Sequence, residues 1–289
     1  MKVMWLYDIF NDDKTETARM VSTLKSLGLN PSDSVQSTYV AHIGEENLAP
    51  RADQAVAQSK KILNRKLSEN KYQDLIIKPS VIFEDSSSFG RIADAALTEA
   101  KKNHIDVIAL QTHGKKGFKN FLLGSFAETI IHKSKISMMI LSPACKPVKK
   151  IKRILFATDL EKGSLGPVIK AAQVAKKAGA TLCLFHVPQP NYNVVSDDTA
   201  SESFKYRKDV HRKLGLLLTA VKKLGVDSET FVDSKWQSTA ELILKAAKKK
   251  EIDLIMTHAK TGALGNLFLG STTSRLIRSA HIPVFVLRS

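Results

Sequence analysis

The chain repeats itself. "VMWLYD", ending at Asp8, returns as "ILFATD", ending at Asp159, and "YVAHI" with His42 returns as "CLFHV" with His186. The order holds to the end: "IDVIALQTHG" from Ile105 is matched by "IDLIMTHA" from Ile252, "FLLGS" by "LFLGS", and "ISMMILS" by "IPVFVLR". A unit of about 145 residues, the size of an ordinary domain, is therefore written twice. The domains predicted on this basis are residues 1–147 and 148–289, with the dense basic run Lys146 to Arg153 as the linker between them.

Within each unit, short apolar runs alternate with helical periodicity. "VMWLY" leads into a helix carrying Ala18, Val21, Leu24 and Leu27, which Gly28 ends in the C′ position. In the second unit Pro167 suits a first helical turn and Gly179 ends the helix. Strands are expected near 36–43, 75–83, 106–111 and 136–142, then near 181–187, 226–232, 253–257 and 282–287. Strands apolar on both faces and separated by helices specify a parallel sheet covered on both sides by right-handed crossovers. The expected fold class is α/β, with two tandem doubly wound five-stranded domains.

Composition narrows the setting. No run approaches the roughly 18 apolar residues of a membrane span, and "MKVMWLYDIF" reads directly into a strand, so the expected location is the cytoplasm. The two cysteines, Cys145 and Cys183, have neither metal-site nor disulfide-framework spacing. A formal net charge of +16 favours anionic ligands. Because the lysines are spread over helix-like segments, a solvated face is the plainer reading, and nucleic acid is not an expected partner.

The chemistry concentrates in "THGKKGFKNFLLGS", Thr112 to Ser125, between a strand-like run and a helix start. In open α/β sheets, ligands bind beyond the carboxyl ends of the strands where the winding direction reverses. Asp8 ends the first strand and this loop follows the fourth, so the two meet there if the strands are neighbours. Gly114, Gly117 and Gly124 let the backbone approach phosphate and adopt positive φ, and Lys115 adds charge. The Ser125 and Phe126 amides would be donors at a helix N-terminus, where the Ser125 hydroxyl could cap the helix or bind an anion. The second unit offers Asp159, Gly262, Gly270, Ser271 and Thr272 in the corresponding places. The constellation reads as a mononucleotide site.

Each residue also has a plainer role. Asp8 and Asp159 suit caps of the following turn. His113 and His258 leave buried strands with no carboxylate or nucleophile beside them in sequence, and His42 and His186 suit core positions. There is no G-K-[ST] after Gly114 and no G-x-S-x-G elbow at Ser125, so the phosphate-binding-lysine and serine-hydrolase mechanisms have no support.

The strand-Asp, the D-[LIV]-I-x-x-x-H-G block, the G-x-x-G pair and "LLGS" before a helix resemble the universal stress protein family, and the duplication resembles its tandem members. The resemblance covers essentially the whole chain. It implies strand order 3-2-1-4-5 in an adenine-nucleotide α-hydrolase-like fold, and a stress-response regulator rather than an enzyme, with at most slow ATP hydrolysis. It implies ATP as ligand, with Mg2+ left open as its companion ion. The family's G-x2-G-x9-G-[ST] pattern has six residues between Gly117 and Gly124 here, and seven between Gly262 and Gly270 with Ala259 in place of the first glycine. The first unit is thus the better nucleotide site. The alternative is an interaction scaffold with degenerate sites and a protein partner that the sequence does not name. Single-domain relatives pair through their last strand, so "ISMMILS" and "IPVFVLR" are expected to form a pseudo-dimer within one chain, with a homodimer as a further state.

Overall fold

The computed structural model describes residues 1–10, 13–30, 32–42, 51–69, 77–112, 124–188, 199–234, 237–259 and 269–288. The first half runs β1 (Lys2–Leu6), α1 (Lys14–Ser26), β2 (Ser34–His42), α2 (Ala52–Glu69), β3 (Ile77–Glu84), α3 (Phe89–Lys102), β4 (Val107–Gln111), α4 (Ser125–Lys133) and β5 (Ser137–Leu141). The second runs β6 (Arg153–Ala157), α5 (Leu165–Ala178), β7 (Thr181–His186), α6 (Thr199–Lys223), β8 (Ser228–Val232), α7 (Thr239–Lys249), β9 (Leu254–Ala259), α8 (Ser271–Ser279) and β10 (Val284–Arg288).

The strands form one ten-stranded sheet in the order β3-β2-β1-β4-β5-β10-β9-β6-β7-β8. Read from its own outer edge, each half is 3-2-1-4-5, parallel throughout. The halves join where β5 and β10 pair antiparallel, with Ile140 opposite Val284 and Met138 opposite Val286.

Alternation along each strand explains the two layers. Val3 and Trp5 of β1 enter a core shared with α1, α2, α5 and α6, whereas Met4 and Leu6 enter one shared with α3, α4, α7 and α8. Both cores run through both halves. The basic linker takes part: Cys145, Val148 and Ile151 are buried in the first core, Ser22 Oγ donates to Val148 O at 2.6 Å, and Arg19 donates to the carbonyls of Pro143 and Cys145. A segment read as a tether is thus held against α1 while its lysines remain outside.

Helix ends follow the sequence signals. Gly28 follows the C-cap Leu27 with φ +71, and Gly179 is a left-handed C-cap with φ +64. Asp13 opens α1 by accepting from the amides of Thr15 and Glu16.

Candidate functional site

Strand register positions the site. Trp5 of β1 lies opposite Ser37 of β2 on one side and Ala109 of β4 on the other, so the chain beyond β1 emerges where the winding reverses. A cleft of about 240 Å3 opens there, lined among others by Asp8, Thr38, Tyr39, Phe89, Gly124 and Phe126. Asp8 is exposed, and its Oδ1 accepts from Phe10 N at 2.9 Å. Asp159 accepts from Glu161 N at 3.1 Å and from the Ser164 hydroxyl at 3.0 Å. Both aspartates therefore cap the turn that follows their strand.

Gly124 is the N-cap of α4, with φ −61 and ψ 148. The positive φ expected there is absent, and Gly124 rather than Ser125 occupies the capping position. The first helical bond is Glu128 N to Gly124 O, which leaves the amides of Ser125, Phe126 and Ala127 in the donor-rich first turn. A Cβ built on Gly124 would meet nothing within 4 Å among the described residues. Neither backbone strain nor packing among the described residues demands glycine here, yet the residue lines the cleft. His113, Gly114, Lys115 and Gly117, and Gly262 of the second half, lie outside the described residues.

The second half is not a copy at this point. Phe156 lies opposite Leu184 and Met256, as Trp5 lies opposite Ser37 and Ala109. Counting onward, Phe185 stands where Thr38 does, His186 where Tyr39 does, and His258 where Gln111 does. The histidines that mark the repeat in sequence are therefore not counterparts in the sheet. Ala259 ends β9 as a buried strand residue opposite Arg288, in the place of Thr112, and not as a loop residue replacing Gly114. Phe185 is 2% exposed and packs on Phe231 with ring centroids 6.4 Å apart, filling a place where the first half has a threonine. Gly270 caps α8, which begins at Ser271 and Thr272. Asp159 instead lines a different cleft against α5, which these three residues do not reach.

His186 is buried, with Nδ1 at 2.9 Å from Thr158 O, and Nε2 has no partner among the described residues. Burial pulls its pKa below the usual histidine value, with the Thr158 carbonyl opposing. Of the aromatic lining of the first cleft, Phe126 is predicted from the sequence through its amide, whereas Tyr39 and Phe89 are not. Phe89 is 48% exposed at the start of α3.

A family model described as the universal stress protein family matches residues 11–142 and again 150–288. The chain belongs to the universal stress protein family. A universal stress protein from Thermus aquaticus is 28% identical over 138 residues, spanning 47% of this chain and 98% of that one. The solved universal stress protein from Archaeoglobus fulgidus is 18% identical, covers 99% of this chain and 98% of its own, and superposes with a TM-score of 0.68. A functionally unknown protein from Pseudomonas aeruginosa is 16% identical, with 99% and 92% covered and a TM-score of 0.60. The two structures establish that the tandem fold is shared along the full length of this universal stress protein. No helix among its described residues is long and apolar enough to cross a membrane.

Proposed function

We propose that this universal stress protein is a regulator that binds an adenine nucleotide, ATP, in the cleft of its first half, with occupancy altering its contacts with a protein partner. The observation that carries the reading is Gly124. A residue with ordinary extended φ and open space around its missing side chain lines a cleft between an aspartate and a helix N-terminus. Phosphate oxygens suit the first-turn amides of α4, and ribose hydroxyls or the adenine amine suit Asp8. Tyr39, Phe89 and Phe126 provide flat apolar walls for a base. His113, Gly114, Lys115 and Gly117 are the residues the sequence offers as further phosphate contacts.

The second half favours the degenerate reading. Phe185 occupies the place of Thr38, and Asp159 lines a cleft that Gly270, Ser271 and Thr272 do not line. The experiment is a mass spectrum of small molecules released on denaturing the purified full chain. An adenine nucleotide supports the regulator; its absence, together with no nucleotide binding on titration, supports a scaffold.

A further inference from the structure

A larger cleft, of about 560 Å3, lies in the second half on the α5 side of Asp159. We propose that it binds a small phosphorylated sugar, independently of the nucleotide cleft. Its lining brings two lysines together, Lys162 from the loop after β6 and Lys170 from α5, with the His258 imidazole of β9 beside them. Neither lysine has a carboxylate partner among the described residues, and Lys170 donates to a neutral acceptor, Arg288 O, at 3.0 Å. Unneutralised cations on the walls of a concave site focus positive potential into it. The same wall carries the Thr158 hydroxyl, which accepts from Leu160 N at 3.2 Å, and the Asp159 carboxylate, which accepts from Ser164 Oγ at 3.0 Å; both keep acceptor capacity for sugar hydroxyls, and the volume is that of a small-ligand pocket.

The first half shows what this space looks like when the protein fills it. Asp8 and Gly28 are as far apart in sequence as Asp159 and Gly179, so Arg19 is the counterpart of Lys170, Glu16 of Pro167 and Tyr7 of Thr158. There Arg19 pairs with Glu16 at 3.7 Å and donates to the linker carbonyls of Pro143 and Cys145, the latter at 3.2 Å. Gln111, the counterpart of His258, donates to Glu16 O, and Tyr7 OH lies 3.3 Å from Thr17 Oγ1. Every group is engaged internally. In the second half the tyrosine has become threonine and the glutamate has become proline, so bulk and the neutralising carboxylate are lost together while the cation is kept. Loss of side-chain volume alone would leave an apolar void; here it leaves a cationic one.

The test is calorimetric titration of the full chain with D-ribose 5-phosphate, with D-ribose as the uncharged control. Saturable binding of the phosphate ester is expected, with none for the free sugar. Lys170→Glu should weaken it by about tenfold or more through charge reversal. Gly166→Trp should do the same by occupying the cleft, because a Cβ at Gly166 meets nothing within 4 Å and the fold is retained. Gly124→Asp should leave it unchanged, which separates this site from the nucleotide site. Absence of saturable binding, binding that survives both Lys170→Glu and Gly166→Trp, or loss in Gly124→Asp would each overturn the proposal.

Discussion

The guanidinium of Arg288, at the end of β10, donates through Nη2 to the carbonyl of Ile131 at 2.6 Å, in the last turn of α4 in the other half. The reciprocal contact is made by Ser142, just beyond β5, whose hydroxyl donates to Ala280 O, the C-cap of α8, at 2.7 Å. Each half thus caps the last helix of the other across the β5–β10 seam. The two caps differ in cost. Arg288 is 2% exposed, and its Nε and Nη1 have no partner among the described residues, so burial alone lowers its pKa.

Arg288→Met should therefore be neutral or stabilise the chain by up to about 2 kcal/mol, because removing a buried charge that no carboxylate among the described residues neutralises outweighs the loss of one hydrogen bond. Urea denaturation midpoints at unchanged slope measure it. A loss of more than about 1 kcal/mol would show that the cap contributes more than the burial costs.

Gly28 and Gly179 share a left-handed conformation at the ends of α1 and α5, yet their surroundings differ. A Cβ on Gly28 would overlap the backbone carbonyl of Lys177, in the other half, while one on Gly179 meets nothing within 4 Å. Gly179→Ala should cost about 1 kcal/mol, from conformation alone. Gly28→Ala should cost about 3 kcal/mol or more, because α1 and α5 must also separate. Equal losses in thermal or urea unfolding would refute the close approach.

Asp33 links the halves electrostatically. Burial would raise its pKa, but the Asn30 amide at 2.6 Å, Lys177 Nζ at 2.6 Å and the terminal ammonium hold it down at about 2, from an ordinary 3.8. A depressed carboxylate contributes stability above its unfolded value and loses it as pH falls through the folded one, so this term should disappear between about pH 4 and pH 2. Asp33→Asn should cost about 2 kcal/mol near neutral pH and flatten that acid limb. An acid limb unchanged in the variant would assign it to other carboxylates.

Cys145 and Cys183 are free and buried, and burial followed by the Glu229 hydrogen bond pushes Cys183 up to about 12. Neither thiol should react with a thiol reagent in the native state, and both should react at the rate of unfolding. Rapid modification of Cys183 in the folded chain would contradict its placement.

The periodicities that made the architecture legible are local: alternation in "VMWLY", the 3.6-residue stripe ending at Gly28, and the glycines that stop helices. They gave strand order no signal; the order 3-2-1-4-5 came only as what the family resemblance implies. What stayed hidden depends on register. The eye aligns His42 with His186 and His113 with His258 because histidine is rare; the sheet aligns Tyr39 with His186 and Gln111 with His258. The same shift puts Phe185 in the place of Thr38 and moves Ala259 into a strand. Gly124 lines the first cleft, but the positive φ expected of it is not there.

The central claim is that the first half holds the nucleotide, and titration calorimetry of ATP into the wild type, Gly124→Asp and Gly270→Asp tests it most directly. Gly124 has an unstrained φ and an open Cβ position, so its variant should keep the wild-type unfolding midpoint. The expected result is saturable binding that Gly124→Asp abolishes, that Gly270→Asp leaves nearly intact, and that weakens with added salt as screening shortens to about 8–10 Å. No heat from the wild type at millimolar ATP, or equal losses from the two variants, would contradict it.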